Sequence, residues 1–372
     1  MDERRRVLIT VEFYYAPGGG GIAEQARQIA EGLVKRGHEV TVATSMTGDR
    51  PATINGVRVE AFSVSGNLVK GIYGEKERYS DFLKNYQGDA IINLGANVWT
   101  TDLAFPLLVS LKTKKILSTP GLSKINDPRY QSYYRGPYRE ALSRYDKIVY
   151  TSANYRDKTF GDEQGFSDKA VIIPNGASET EFLATITDFK TSHGIITPHL
   201  FITVSNHYFA KGHTFVIDAF NRLDRNDATL AIIGHQPGRH RWYSCYWNCR
   251  FKSWRNPRIK LFTDLPRDEV VSAYKSADAF LFGSELECAP LVMYEAFAAK
   301  LPFITRNVGS VSDHRDYLEI VESPRQMAKA AAVLLERPER RAQLVDAAFA
   351  DWRKNHSWNR ISGAYEALLC NL

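Results

Sequence analysis

The feature that most limits how this sequence can fold is a regular alternation of short β-rich runs with longer helical patterns. The first run, Val7–Phe13, leads into the glycine-rich stretch Ala16–Gly21, and Ile22–Arg36 then repeats apolar residues at the spacing of an amphipathic helix. Gly37 ends that helix, and His38–Ala43 predicts a second strand. Because strand, helix and strand follow one another, the strands should be parallel and joined by right-handed crossovers. The pattern predicts an α/β, doubly wound sheet.

The alternation weakens near residues 185 to 198 and then begins again, which predicts two such sheets. Further strands of the first half are predicted at Ala90–Leu94, Lys115–Ser118, Lys147–Tyr150 and Ala170–Ile173. Strands of the second half are predicted at Leu200–Val204, Thr229–Ile233, Arg258–Phe262, Ala279–Phe282 and Pro302–Thr305. With 372 residues the chain can bury two cores. We predict one domain over 1–185, a second over 186–355, and a C-terminal helix over 356–372 that crosses back to the first domain.

Composition narrows the class of protein. Hydrophobic residues make up 44% and charged residues 24%, which is typical of a globular enzyme rather than a disordered chain. No apolar run reaches the roughly 18 residues of a membrane span, and the N-terminus leads directly into the first strand without a cleavage pattern. We therefore expect a cytoplasmic protein. The net charge of +6 is spread over both halves, which argues against a nucleic-acid partner.

One stretch, from His235 to Lys260, holds seven Lys or Arg residues and no acid, interleaved with aromatic residues. Two interpretations stay open. Either the stretch meets anionic phospholipid head groups or a lipid-linked acceptor at the inner face of the cytoplasmic membrane, or its aromatic residues pack beneath a helix. The candidate contact residues are Arg241, Trp242 and Trp247. In the first half, Tyr134 and Arg135 are candidates for an acceptor groove.

The cysteines raise the question of a metal site. The four are Cys245, Cys249, Cys288 and Cys370. The first two stand at helical spacing and His235 and His240 are close in sequence, but no second pair with zinc-site spacing accompanies them. Reduced structural thiols are the favoured interpretation, and no metal is expected.

The most informative group of residues lies in the second half, where Pro290 suits the first position of a helix. That helix should begin at the carboxyl end of a strand, so its amino end, with Leu291 and Val292, could hold a diphosphate. Glu295 in the second turn could accept hydrogen bonds from the vicinal hydroxyls of a ribose. Glu287, just before the helix, is placed to meet a sugar hydroxyl. On spacing alone, the alternative that both glutamates are solvated surface charges is the stronger one.

Two glycine-containing loops add to this pattern. In Val204–Gly212, Lys211 could neutralise the charge that builds on a leaving diphosphate, although a lone Lys-Gly more often only starts a helix. In Ala16–Gly21, Gly19 and Gly20 let the backbone approach a ligand closely. This second run also fits a dinucleotide fingerprint and would suit an oxidoreductase, but no acid follows the second strand where a ribose would need one.

Taken together, these motifs resemble those of family 4 glycosyltransferases. In that family a Glu-seven-residues-Glu motif follows a serine at a strand end and opens a helix, as Ser284 and Glu287–Glu295 do here. Further matching stretches are Ile173–Gly176, Ile232–Gly234 and Ser276–Asp278. The resemblance covers essentially the whole chain. It implies the GT-B fold, in which two Rossmann-like domains face a central cleft, the first binding the acceptor and the second the nucleotide sugar.

The resemblance also implies an activity. It implies that a sugar, of hexose type, passes with retained configuration from a UDP- or GDP-sugar to a lipid-linked or polysaccharide-type acceptor, without a metal. By the family pattern Glu287 contacts the sugar, Lys211 the diphosphate and Glu295 the ribose, with Asn206 and Gly234 also in the donor site.

The chain departs from the family pattern at three places. Asn206 stands where the family commonly has arginine, Cys288–Pro290 replaces Phe-Gly, and no histidine lies near Ser118–Gly121. Two alternatives therefore stay open beside the transferase: another GT-B enzyme, such as a nucleotide-sugar epimerase, and a non-catalytic protein that binds sugar nucleotides.

Overall fold

The computed structural model describes residues 4–16, 19–184, 188–235 and 244–372. The chain divides into two compact units, Met1–Asn175 with Trp358–Leu372, and Gly176–Ser357. The first boundary thus lies before residue 185, because the segment after Asn175 packs within the second unit. There the Ala177 amide donates to the His356 carbonyl at 3.0 Å, and Trp352 Nε1 donates to the Ala177 carbonyl at 3.3 Å.

The strands of the described residues form two large sheets and a small hairpin. In chain order they are β1 Arg6–Thr10, β2 Glu39–Ser45, β3 Thr53–Ile54, β4 Val57–Phe62, β5 Val64–Asn67, β6 Gly71–Gly74, β7 Ala90–Leu94, β8 Lys114–Thr119, β9 Lys147–Tyr150, β10 Ala170–Ile172, β11 His199–Val204, β12 Ala228–Gly234, β13 Ile259–Thr263, β14 Ala279–Phe282, β15 Phe303–Thr305 and β16 Glu319–Ile320. Within the described residues, the first unit carries a sheet in the order β10-β9-β8-β7-β1-β2-β4-β3 and the second a sheet in the order β13-β12-β11-β14-β15-β16.

Nearly all neighbouring strands are parallel, as the alternation predicts. In the described residues, the antiparallel pairs are β3 with β4 and the separate hairpin β5 with β6. These four strands were not predicted from the sequence. The strands β3, β5 and β6 have only two to four residues, whereas β4 alternates apolar and charged residues over Val57–Glu60 and could have been found. The α/β prediction with two doubly wound, Rossmann-like sheets is confirmed.

The α-helices of the described residues pack against the two sheets. In chain order they are α1 Gly20–Lys35, α2 Lys76–Lys84, α3 Trp99–Asp102, α4 Gln131–Tyr133, α5 Arg139–Arg144, α6 Arg156–Glu163, α7 Glu179–Leu183, α8 Phe189–Ser192, α9 His213–Arg222, α10 Tyr246–Arg255, α11 Arg267–Ser276, α12 Leu291–Ala298, α13 Pro324–Glu336, α14 Pro338–Asn355 and α15 Trp358–Cys370. Among these residues, no helix is both long and apolar enough to cross a membrane.

Helix α15 belongs to the first unit because it packs closely on α1. A Cβ at Gly32 would lie 1.9 Å from Ser362 Oγ, so only glycine allows this approach. Arg36 Nη1 donates to Glu366 Oε2 at 2.8 Å, and the Tyr365 hydroxyl lies 2.9 Å from Ser118 Oγ at the sheet. Buried apolar contacts with an ion pair at the rim therefore hold the C-terminal helix in place.

Candidate functional site

In each sheet, one pair of neighbouring strands marks the point where the strand order reverses. In the second sheet the chain leaves β11 toward β12 and β13, and then returns to the other side of β11 as β14, β15 and β16. Loops from such a switch point diverge, which leaves a crevice at the carboxyl ends of the strands where doubly wound folds bind ligands. The loops after β11 and β14 carry Lys211 and Glu287.

These two side chains form an ion pair. Lys211 Nζ lies 2.7 Å from Glu287 Oε1, with the lysine side chain 30% and the glutamate side chain 14% exposed. Ser284 Oγ, fully buried in the loop two residues after β14, lies 2.8 Å from the same carboxylate oxygen and 3.1 Å from the Ala210 carbonyl. The Glu285 amide donates to that same carbonyl at 2.8 Å. The loop that carries Lys211 and the loop that carries Glu287 are therefore in direct contact.

Glycines allow the two loops to approach so closely. Lys211 ends a 3₁₀ turn, and Gly212 follows with φ +66°. A Cβ on Gly212 would lie 1.9 Å from the Gly283 carbonyl oxygen, and a Cβ on Gly283 would lie 2.4 Å from the Gly212 carbonyl oxygen. No side chain fits at either position, so backbone packing sets the position of Lys211 relative to Glu287.

Helix α12 presents its amino end just after the glutamate loop. It begins at Leu291, and Pro290 is its N-cap rather than its first helical residue, because the ψ of Pro290 is extended at 121°. The amides of Leu291 and Val292 have no carbonyl partner within the helix, and both residues are half-buried. Two adjacent donors and the positive end of the helix dipole suit an anionic group.

Glu295 is buried and already hydrogen-bonded. Arg267 Nη2 donates to its Oε1 at 2.6 Å, and the Tyr274 hydroxyl donates to its Oε2 at 2.6 Å. Arg267 also donates to Glu181 Oε2, at 2.8 Å. Burial and the neighbouring carboxylate raise the pKa of Tyr274 well above its ordinary value, so the tyrosine remains a donor. A carboxylate has about four acceptor sites, so two remain for a ligand. The sequence did not predict these two partners.

Other predicted donor-site residues lie around the same edge. Gly234 ends β12, and a Cβ there would lie 2.3 Å from the Ser205 carbonyl oxygen, which explains the glycine. Asn206 is half-buried in the loop after β11. Sequence reasoning did not single out Arg306, which directly follows β15; its Nη1 lies 3.0 Å from Glu285 Oε1. The position of Arg306, a cation directly after a predicted strand, could have indicated it from the sequence.

The first sheet has its switch point between β1 and β7, and the glycine-rich run follows β1. Gly20 begins α1 with φ +67°, and the Gly19 amide donates to the Ala16 carbonyl at 3.1 Å. Residues 17 and 18 lie outside the described part of the chain. The amino end of α1 therefore lies at the edge where ligands bind in such folds.

Two buried carboxylates near this edge were not found from the sequence. Asp102 accepts hydrogen bonds from the Tyr133 hydroxyl at 2.7 Å and the Leu68 amide at 2.8 Å, and burial raises its pKa to about 6. Asp157 accepts from the hydroxyl of Thr119, the last residue of β8, and burial raises its pKa to about 6 as well. Asp157 thus lies beside the loop in which the family would place a histidine.

The residues predicted to contact an acceptor or a membrane differ in their exposure to solvent. Tyr134 is only 2% exposed and packs edge-on against Tyr133 at 5.2 Å, so it is a core residue and does not line a groove. Its aromatic neighbours cover it from solvent, while Arg135 is exposed. Arg241 and Trp242 lie outside the described residues.

Trp247 lies on an exposed face of α10. Together with Trp247, the outward face of this helix carries Arg250, Phe251, Trp254 and Arg255, and Trp254 is 79% exposed. Most of these residues line a shallow surface groove. The opposite face carries buried Tyr246 and Cys249. Within the described residues, Tyr246–Arg255 of this stretch forms a helix, as one interpretation held, but most of the aromatic residues of this helix face outward.

Comparisons with known proteins agree with this architecture. The model described as Glycosyltransferase Family 4 matches residues 19–181, and the model described as Glycosyl transferases group 1 matches residues 186–351. An uncharacterized glycosyltransferase from Methanocaldococcus jannaschii is 25% identical over 357 residues, which cover 90% of this chain and 86% of that protein.

Two solved structures share this fold over nearly the whole chain. HepE from Anabaena, solved in complex with UDP-glucose, has a TM-score of 0.81 at 15% identity, covering 99% of this chain and 100% of that one. Sucrose-phosphate synthase from Thermosynechococcus elongatus has a TM-score of 0.79 at 16% identity, covering 98% of each chain. At these identities the likeness shows the fold alone. With both halves matched by glycosyltransferase models, the chain belongs to the family 4-like glycosyltransferases of the GT-B fold.

Proposed function

We propose that this glycosyltransferase moves a hexose from a UDP- or GDP-sugar to an acceptor hydroxyl with retained anomeric configuration. The observation that carries the proposal is the Lys211–Glu287 pair beside the free amino end of α12, at the switch point of the second sheet. A cation, two amide donors and a carboxylate lie together there. This set matches a diphosphate joined to a sugar.

The diphosphate would bind by entering this pair. Lys211 would turn its charge toward a phosphate, the amides of Leu291 and Val292 would donate to phosphate oxygens, and Glu287 would accept from a sugar hydroxyl. Arg306 would supply the second positive charge that Asn206 does not. Its present partner, Glu285, is 61% exposed, and a solvated pair of this kind is weak, so the arginine can exchange it for a phosphate.

Glu295 would hold the ribose through the acceptor sites that Arg267 and Tyr274 leave open. A ribose hydroxyl donating to this carboxylate would add to the two existing bonds rather than replace them. Those two bonds fix the orientation of the carboxylate before the nucleotide arrives, which lowers the entropic cost of binding.

Transfer needs little covalent help from the protein. The bond between the sugar C1 and the diphosphate oxygen breaks, the acceptor oxygen bonds to C1, and the acceptor proton passes to the departing phosphate oxygen. The protein's task is to stabilise the charge on that phosphate, which Lys211 and the α12 amides are placed to do. We expect transfer to proceed without a divalent metal for the same reason.

We further propose that the exposed face of α10 brings the enzyme to an anionic membrane that carries its acceptor. Trp254 and Phe251 could enter the headgroup region, while Arg250 and Arg255 meet lipid phosphates. Among the described residues, the helix itself carries no acid. Under this proposal the protein would work in the cytoplasm, peripherally on the inner face of the membrane.

Vesicle sedimentation tests the membrane proposal. We expect the protein to sediment with vesicles containing anionic lipid and not with neutral ones, and the Trp254→Ala, Arg250→Ala double variant to remain in the supernatant. Ile196→Ala is the matched control, because Ile196 is an exposed apolar residue outside α10. Equal sedimentation of the double variant and the wild type would contradict this part of the proposal.

A thermal-shift panel of nucleotides and nucleotide sugars, followed by acceptor assays, tests the donor proposal. A specific donor should raise the melting temperature by mass action. Nucleotide released without acceptor would favour an epimerase, and binding without turnover on a full acceptor panel would favour a non-catalytic binding protein. A shift with nicotinamide cofactors alone would contradict the transferase.

A further inference from the structure

Four buried side chains of the second unit converge away from the donor residues. They are His207, His213, Cys245 and Cys249, and one ligand atom from each lies within 4.8 Å of all the others. Cys245 Sγ lies 3.1 Å from His213 Nδ1 and 3.8 Å from His207 Nδ1. Each of the four residues is less than 3% exposed.

Two thiols and two imidazoles are the donor set of a structural zinc site. Zinc binds sulfur at about 2.3 Å and nitrogen at about 2.0–2.1 Å in a tetrahedron, which separates neighbouring ligand atoms by about 3.4–3.8 Å. Both Cys245 contacts are already near that range, and the widest separation exceeds it by only about 1 Å. Small rotations of the side chains would therefore complete the tetrahedron.

The surroundings of the two histidines support the same interpretation. His213 Nε2 lies 2.8 Å from Ser205 Oγ, so the ring nitrogen facing away from the cluster is held by a hydroxyl, as in metal sites with an ordered outer shell. His207 Nε2 is buried and has no hydrogen-bond partner among the described residues. The nitrogen that faces Cys245 is the other one, Nδ1, so the imidazole would have to turn over for the unpartnered Nε2 to bind the ion.

We propose that His207, His213, Cys245 and Cys249 bind one Zn²⁺ in a four-coordinate structural site. The two thiols would lose their protons to solvent, and the resulting thiolates would balance the charge of the ion. Four protein ligands leave no open position for a substrate, so the ion would stabilise the fold rather than take part in transfer. The proposal does not depend on the donor or acceptor of the transferase.

The ion would join two elements that the sheet alone does not connect. His207 and His213 flank the loop that carries Lys211, and Cys245 and Cys249 lie at the start of α10. Zinc would thus fix the lysine loop to α10. The metal site considered from the sequence included two other histidines, His235 and His240. His235 forms an ion pair with Asp264, and His240 lies outside the described residues.

Metal analysis of the purified chain tests the proposal. We expect about one zinc per chain after growth with zinc and gel filtration without chelator, and less than about a tenth of that in the Cys245→Ser, Cys249→Ser double variant. Cys370→Ser is the matched control, because Cys370 is an exposed thiol at the end of α15. His314→Gln removes a ligand from a second group, His314 with Asp351 and His356, and should also retain zinc.

Two further measurements on the wild-type chain keep the test decisive if the double variant fails to fold. Replacing zinc with Co²⁺ should give thiolate-to-cobalt charge-transfer absorption. Removing the ion with a chelator should lower the melting temperature, and Zn²⁺ but not Mg²⁺ should restore it. Folded wild-type protein without zinc, zinc retained in the double variant, zinc lost in His314→Gln, or a Cys245–Cys249 disulfide would overturn the proposal.

Discussion

The carboxyl edges of the two sheets share one topology but hold their charged groups in different ways. At the second sheet, Glu287 is paired with Lys211 and Glu295 with Arg267. At the first sheet, Asp102 and Asp157 accept hydrogen bonds from hydroxyls and amides. Within the part of the chain that the structure describes, neither of these aspartates forms an ion pair, and burial raises the pKa of both to about 6.

This difference separates an edge whose ion pairs an anionic ligand can open from an edge whose carboxylates can take up a proton. At the second edge, an anion that attracts the cation of a pair can open that pair. At the first edge, burial raises the pKa of Asp102 and Asp157 to about 6, so these two carboxylates gain a proton when the pH falls slightly below neutral. The second edge therefore suits a diphosphate, as we propose, while the charge of the first edge depends on pH.

The largest effect is expected when the cation of the second edge is removed. Lys211→Ala should lower turnover by roughly two to three orders of magnitude, the scale of losing one preorganised electrostatic contact. Lys300→Ala is the control, because Lys300 forms an exposed ion pair with Asp346. Steady-state kinetics with the donor found in the panel would measure both. Unchanged turnover in Lys211→Ala would refute the role of this lysine.

The second largest effect concerns the backbone contact beneath that lysine. Gly212→Ala should lower the free energy of unfolding by about 3 kcal/mol or more, because its Cβ would overlap the Gly283 carbonyl. Gly165→Ala is the matched control, since Gly165 has φ +83° but nothing within 4 Å of an added Cβ. It should cost only about 1 kcal/mol for the backbone conformation. Equal losses in urea unfolding would show that the close approach is unimportant.

The third prediction concerns the first edge and its pH dependence. The pKa of Asp102 is about 6 in the folded chain against an ordinary value of 3.8, so between these values the folded state binds a proton that the unfolded state does not. Asp102 therefore makes the free energy of unfolding fall by about 2 kcal/mol as pH rises from 4 to 7, most of it below pH 6.

Urea unfolding of Asp102→Asn over this pH range measures that contribution. The variant should lack the fall, while Asp81→Asn, which removes an exposed carboxylate paired with Lys84, should keep it. Parallel curves for Asp102→Asn and the wild type would mean that Asp102 does not titrate as described.

The smallest effect is expected when the carboxylate of Glu287 at the second edge is replaced by a neutral amide. Glu287→Gln should lower turnover about tenfold, since a neutral amide holds the sugar less well. It should also tighten UDP binding, because Lys211 no longer has a competing carboxylate. Calorimetry with UDP would separate this variant from Lys211→Ala, which should bind UDP more weakly. Weaker UDP binding by Glu287→Gln would contradict the proposed exchange of partners.

Much of the fold could be predicted from the sequence because periodic apolar patterns report parallel strands and their helices directly. The strands from β7 to β15 fall where alternation predicts them, while β3, β5 and β6, with two to four residues each, have too little pattern to be found. The meeting of Lys211 with Glu287 could also be foreseen, because the carboxyl ends of neighbouring parallel strands share an edge.

Contacts between distant helices and loops could not be predicted in this way. Arg267 and Tyr274 reach Glu295 from α11, and nothing in the spacing of these residues marks them as its partners. The same holds for His207 and Cys245, which meet only when α10 packs against the loop after β11. Tyr134 was misjudged because composition cannot tell a buried aromatic cluster from an exposed one.

A crystal structure with the nucleotide sugar that gives the largest thermal shift tests the central claim most directly. We predict diphosphate density between Lys211 Nζ and the amides of Leu291 and Val292, with the ribose hydroxyls against Glu295. A nucleotide bound elsewhere, or a Lys211–Glu287 pair that remains closed with no ligand beside it at saturating concentration, would contradict the account.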